Sequence, residues 1–310
     1  MFDSLEATRT FLVGLIHVPL TDFEVLAGGF HCQVLAFRAQ EHALLLKISR
    51  NGTALLAEQS IREHFGTETP VPIPAVFFKG HHEGWTWIVQ ARCPGQSLSQ
   101  HLTVPRLQQA AQALTSLHQW QTKPARTAVA QWSAFLRELH GFLPEEIRPQ
   151  MPLTPAVWSD YRERLDCLVA VCEAAFLKQT RDRERVFCWI HGDLKPDHIF
   201  IDETVSGLID WEMFRPGDFV YDWAVFLLYA PLSLKGDGKP DVSSVLRCFL
   251  AVYADQGFGL EHLNARLKAC ALHSALGALF MWSQTQQFEP YYALKLRLDH
   301  LLETDVEALL

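Results

Sequence analysis

The chain is expected to be an α+β protein, with a strand-rich N-terminal part over residues 1–92 and a mainly helical part over residues 93–310. Three observations lead there. Short β-type runs separated by turn residues recur from Phe23 to Gln90, and from Pro105 onward apolar residues return at helical spacing instead. One hairpin interrupts the helical part, where Ile199–Ile201 and Gly207–Ile209 flank the turn-like segment Asp202-Glu-Thr204.

Residues 3–17, apolar at mixed spacing and followed by Pro19, form a short leading helix. Phe23–Ala27, His31–Arg38 and His42–Ser49 then make a β-meander, with Gly28-Gly29 between the first two strands. No GxGxxG and no GxxxxGK[ST] occurs there, so the glycine pair alone is compatible with a plain turn. Lys47 lies in the apolar run Ala43–Ile48, where an ammonium needs either a phosphate and a carboxylate nearby or a path to water. Thr53–Phe65 has helical character and carries Glu58 and Glu63 ahead of the break Val71-Pro-Ile-Pro74. Ala75–Phe78 and Gly84–Gln90 complete a sheet of about five strands.

Beyond Pro94-Gly95, helices are expected over Pro105–Gln119, Ala130–Leu139 and Ala156–Leu177, the last dense in charge pairs. His118 ends the first of them as a capping or packing residue. After the hairpin, Tyr221-Asp-Trp-Ala224 opens a helix, residues 232–242 are an exposed polar loop, and Val245–Tyr253, Glu261–Gln284 and Tyr292–Leu302 close the chain. Gln286, Gln287, Glu289, Tyr291 and Tyr292 lie between the last two helices, as a substrate rim or an ordinary loop.

Composition narrows the class. With 49% hydrophobic and 20% charged residues, this is a folded globular chain, and its apolar run Ala275–Trp282 is too short to span a bilayer. Seven cysteines form no C-x-x-C pair, which suits thiols in a reducing cytoplasm and argues against a structural zinc site. Of the net charge of -8, nothing comes from residues 1–190, where 18 basic and 18 acidic residues balance. The acidic second part disfavours nucleic acid and would attract a cationic small molecule, although metal sites and solvated helix faces also need acids. Oligomeric state is not legible.

The hairpin carries the chemistry. With its turn centred on Thr204, His198 and Asp210 lie six residues to either side, so antiparallel pairing would set them face to face, roughly 5 Å apart in backbone. Asp193 sits five residues before His198, in a loop that Pro196 keeps from becoming helix. Two metal ligands plus one further acid suit phosphoryl transfer, in which a metal neutralises phosphate charge and a carboxylate takes the proton of the attacking hydroxyl.

His191-Gly192-Asp193, His198 and Ile209-Asp210-Trp211 resemble the catalytic and metal-binding motifs of the aminoglycoside phosphotransferase family, small-molecule kinases with a protein-kinase-like bilobal fold. The resemblance implies that Asp193 is the catalytic base, Asp210 the principal metal ligand, and His191 a packing residue. It implies ATP and Mg2+ as cofactors, with Mn2+ possible because His198 stands where most members have Asn, either ligating the metal or hydrogen-bonded beside it. It also places Gly28 and Gly29 over the nucleotide phosphates and pairs Lys47 with Glu58, Glu63 being the fallback. The backbone of Ala91–Cys93 would face adenine. Asp222 would brace the catalytic loop, while Glu212 and Asp218, with Glu289 from the later patch, would line the acceptor pocket. The acidic bias points to an aminoglycoside-like acceptor, of hygromycin type, and His198 to a macrolide as the alternative. Choline, homoserine, methylthioribose and fructosamines are acceptors of other relatives, and a nucleotide-binding regulator with little turnover is the reading from another class.

Overall fold

A computed structural model describes residues 4–26, 32–50, 52–66, 68–120, 127–138, 152–179, 186–233, 241–254, 256–306 and 308. The chain divides into two compact units, one of residues 1–95 with Ser206–Glu212, the other of residues 96–205 with 213–310. The segment Ser206–Glu212, read from sequence as part of the helical portion, thus clusters with the first unit.

In the first unit, helix α1 (Leu5–Ile16) is capped by Ser4, whose hydroxyl accepts from the Ala7 N–H. Strands β1 (Leu20–Leu26), β2 (Gln33–Ala39) and β3 (His42–Ser49) follow. The chain then passes through α2 (Gly52–Leu55) and α3 (Ala57–Phe65) to β4 (Val76–His82) and β5 (Trp85–Ala91). The single helix read over Thr53–Phe65 is therefore broken at Leu56. The sheet runs β1-β2-β3-β5-β4, with antiparallel neighbours.

Period-two alternation gives this sheet two different faces. On one, Leu44, Leu46, Ile48, Trp87 and Val89 pack with Leu35, Phe37 and Leu12 of α1 into an apolar core. Lys47 and Leu45 point the other way. The segment Ser206–Glu212 is fastened to this unit at several places: Leu208 N–H donates to the Pro72 carbonyl, the Ser206 hydroxyl to the Pro94 carbonyl, and Trp211 meets Phe65 edge-on.

The second unit begins with β6 (Gln96–Ser97) and α4 (Val104–Gln119), capped by Thr103 with Pro105 in its first turn. Helices α5 (Thr127–Arg137) and α6 (Pro155–Gln179) precede β7 (Phe187–Ile190). Then comes β8 (Ile199–Ile201), and a tight turn in which Asp202 N–H donates to the Thr204 carbonyl leads to β9 (Val205–Leu208), which from Ser206 onward belongs to the first unit. Strand β10 (Arg215–Asp218) pairs antiparallel with β7, a ribbon that the sequence reading missed.

Helices α7 (Val220–Ser233), α8 (Val242–Tyr253), α9 (Leu263–Gln284) and α10 (Phe288–Glu303) complete it. Helix α7 is apolar on all sides, and Val220, Trp223, Val225, Phe226 and Leu228 are wholly buried, which makes it the helix around which α8, α9 and α10 pack. Residues 234–240 of the expected polar loop lie outside the described residues; Asp241, at its end, caps α8 by accepting from the Ser244 N–H. Among the described residues no helix is long and apolar enough to cross a membrane.

Candidate active site

Strand β7 delivers the chain into the loop His191–Lys195, which ends in a single 3-10 turn over Pro196–His198 before β8 begins. The loop is held from beneath. Asp222, in the first turn of α7 and wholly buried, accepts the His191 N–H through Oδ2 at 2.9 Å and the Gly192 N–H through Oδ1 at 2.8 Å. Nε2 of buried His118 reaches the same Oδ2 at 3.0 Å, and its Nδ1 meets the Tyr253 hydroxyl at 2.7 Å. Burial pushes that phenol well above its ordinary value, so it stays protonated. The expected packing role of His118 and the bracing role of Asp222 thus take the form of one network.

Gly192 is required twice over. Its φ of 83° lies in the left-handed region, and a Cβ there would stand 2.3 Å from the Met213 carbonyl oxygen.

Asp193 follows directly, its own N–H directed at Nδ1 of His191 at 3.3 Å. Lys195, to which the sequence reading gave no role, places Nζ 2.8 Å from Asp193 Oδ2 and 4.9 Å above the Tyr229 ring. Burial, aided by the Asp193 charge, pushes the Tyr229 phenol up. Nδ1 of His198 lies 2.8 Å from the Asp193 carbonyl oxygen, a group that only accepts, so Nδ1 carries the proton. In the neutral ring Nε2 therefore holds the lone pair, as a metal-binding imidazole requires.

The first unit holds a second constellation. Lys47 Nζ lies 2.7 Å from Glu58 Oε1, and the Asp210 N–H donates to the same oxygen at 3.1 Å. Of the two glutamates open to Lys47, Glu58 is the buried one, whereas Glu63 accepts from Gln59 on the outer face of α3. Burial alone would depress the Lys47 ammonium; the charge and hydrogen bond of Glu58, with smaller contributions from Asp210 and Cys32, outweigh it and hold the lysine above its ordinary value. Asp210 itself is exposed and has φ 69°, uncommon outside glycine and here tolerated by an Asp.

Several expectations need correction. His198 and Asp210 are not cross-strand partners: His198 belongs to the 3-10 turn ahead of β8, and the left-handed backbone of Asp210 lies two residues past the end of β9. Asp218 does not line a pocket. It is buried, its two oxygens take a bidentate pair of bonds from Arg266 at 2.8 and 2.7 Å, and it also accepts the Val220 N–H. Tyr291 is buried rather than part of a rim, because α10 starts at Phe288, four residues earlier than expected. Glu289 is exposed on the first turn of that helix, and Glu212 is exposed in the first unit. At Ala91–Cys93, the N–H groups of Ala91 and Arg92 are taken by the Ala75 and Ala43 carbonyls. Burial pushes the Cys93 thiol up to about 12, so it is neutral throughout the physiological range. Gly28 and Gly29 lie outside the described residues.

The sequence pattern of the phosphotransferase enzyme family, APH, matches residues 22–240. No curated protein sequence matches the chain. Among solved structures, the fold is shared with a thermostable mutant of the aminoglycoside phosphotransferase APH(4)-Ia in ternary complex with ADP and hygromycin B. The TM-score is 0.70 at 16% identity, over 97% of this chain and 99% of the other. A GDP and kanamycin complex of APH(2")-IIIa aligns with a TM-score of 0.66 at 16% identity, covering 96% and 98%. An aminoglycoside-3'-phosphotransferase of type VIII gives 0.56 at 22%, covering 89% and 98%. These likenesses establish the α+β, protein-kinase-like fold.

Proposed function

The chain belongs to the phosphotransferase enzyme family, and we propose that it transfers the γ-phosphoryl group of ATP to a hydroxyl of a cationic, aminoglycoside-like acceptor. One observation carries the reading: the Asp193 carboxylate ends a loop whose two preceding amides are fixed on the buried Asp222, with the Lys195 ammonium against its Oδ2. That is a base held in position without a ligand to hold it.

In the proposed reaction Lys47, oriented by Glu58, holds the α and β phosphates, and the backbone of Ala91–Cys93 meets the adenine edge. The acceptor hydroxyl attacks the γ phosphorus and gives its proton to Asp193 Oδ1, while the bond to the β–γ bridging oxygen breaks and ADP leaves. Lys195 orients Asp193 through Oδ2 and offsets charge on the acceptor side. The donor set fits a divalent cation: Asp210 supplies a carboxylate, and His198 supplies Nε2 with its tautomer set by the Asp193 carbonyl. Bound by these two, Mg2+ or Mn2+ would neutralise the β and γ phosphates. The acidic second part of the chain supports a cationic acceptor, with Glu212 and Glu289 as exposed acids to meet it.

A second reading, an acceptor of macrolide type, rests on His198, which stands where most members of the family carry Asn.

The test is ATP consumption with Mg2+ or Mn2+ across hygromycin B, kanamycin, a macrolide, choline and homoserine. Turnover that depends on an aminoglycoside supports the proposal, and turnover with the macrolide alone selects the second reading. Bound ATP with no turnover on any acceptor contradicts both and favours a nucleotide-binding regulator.

A further inference from the structure

Gln90 is wholly buried on β5, yet neither Oε1 nor Nε2 of its carboxamide has a hydrogen-bond partner. Leaving both ends of a buried amide unpaired is costly, and such groups in an otherwise well-packed sheet call for a reason. Its placement supplies one. In the sheet register Leu45 stands opposite Gln90 and Lys47 opposite Ile88, and directly paired residues share a face. Gln90 therefore projects from the face that carries Lys47, not from the face packed on α1. It also directly precedes Ala91–Cys93.

We infer that Gln90 reads the 6-substituent of a purine nucleotide. The inference rests on the proposal that the nucleotide lies along Lys47 and the Ala91–Cys93 backbone. A purine edge meeting that backbone carries N1 and the 6-substituent, and the group one residue upstream, on the Lys47 side, stands at the end of that edge. A carboxamide suits this position for a definite reason: it has an acceptor and two donors and can turn over. Its carbonyl accepts from the 6-amino group of adenine, and its amide N–H donates to the 6-oxo group of guanine. The bound base would thus satisfy the buried amide that the protein alone leaves unpaired.

The experiment is a binding cycle that removes one partner at a time. Isothermal titration would compare wild type, Gln90→Met and Gln90→Leu against ATP and against purine riboside triphosphate, which carries hydrogen at position 6. Wild type is expected to prefer ATP, and that preference should shrink by about fivefold or more in Gln90→Met, the worth of one hydrogen bond to a buried group. GTP should bind wild type and weaken in the same variant. The unliganded variant should melt at or above the wild-type temperature, since an unpaired buried amide has been replaced by an apolar chain of similar length, and this separates lost recognition from lost folding. An ATP preference unchanged in folded Gln90→Met and Gln90→Leu would overturn the inference while leaving the phosphotransferase reading intact. Failure of wild type to bind any of the three nucleotides would instead overturn that reading, and this inference with it.

Discussion

Two carboxylates important to the proposed chemistry are held in opposite ways. Asp210 is exposed, on a strained backbone, and is anchored through its own N–H to Glu58, which is at the same time the partner of Lys47. Asp193 is anchored at one remove, by a buried acid that grips the two amides before it and is itself fixed by His118 and Tyr253. The first arrangement shares its anchor with a cation that phosphates would also engage, so it can respond to a ligand. The second is complete within the protein and should be indifferent to one.

Mutations should separate these two modes. The largest effect on folding is expected at Asp222→Ala, which strands two buried amides and a buried imidazole. The cost should be about 3–5 kcal/mol, as for other broken buried networks, and should appear as a large fall in melting temperature with or without nucleotide. Lys47→Met should act on binding instead, weakening ATP about 10- to 100-fold by loss of a charge-assisted hydrogen bond. If it melted like Asp222→Ala and bound ATP normally, the contrast between the two regions would be wrong.

Lys195→Ala should lower turnover on the order of tenfold without changing ATP affinity, because its partner is the proposed base, Asp193, rather than the nucleotide. The smallest effect is expected for His198→Asn, which would replace a proposed nitrogen ligand with an oxygen one. Activity with Mg2+ should be kept or improved and the relative benefit of Mn2+ reduced. Collapse of activity in both metals would show that His198 serves another purpose, such as fixing the Asp193 carbonyl.

Lysine at 47 was legible because a charge within an apolar strand demands a partner, but the choice between Glu58 and Glu63 rested on family resemblance. Only the path of α3, with Glu58 turned inward, shows the pairing physically. That Asp222 braces the loop was expected from family resemblance, but its link to His118 and Tyr253 was not legible, since it joins His118 to residues 104 and 135 positions away, and local sequence carries no record of such contacts. Asp218 looked like a pocket acid for the same reason: its partner, Arg266, lies 48 residues on.

Two boundary errors have local causes. Arg215-Pro-Gly-Asp218 has turn composition but forms a strand of a two-stranded ribbon, where proline and glycine are tolerated. The last helix was expected from Tyr292, yet α10 starts at Phe288 and takes Pro290 into its first turn, where no intrahelical hydrogen bond is lost. Gln90 was invisible as a candidate because a glutamine in a strand is unremarkable until its burial and its missing partners are known.

The measurement that tests the central claim most directly is the split between binding and turnover in Asp193→Asn. With an accepted aminoglycoside, ATP affinity should stay near wild type while kcat falls by at least about 100-fold, the lower end for lost general-base help. Near-normal turnover in a folded variant would contradict the assignment of Asp193 as the base.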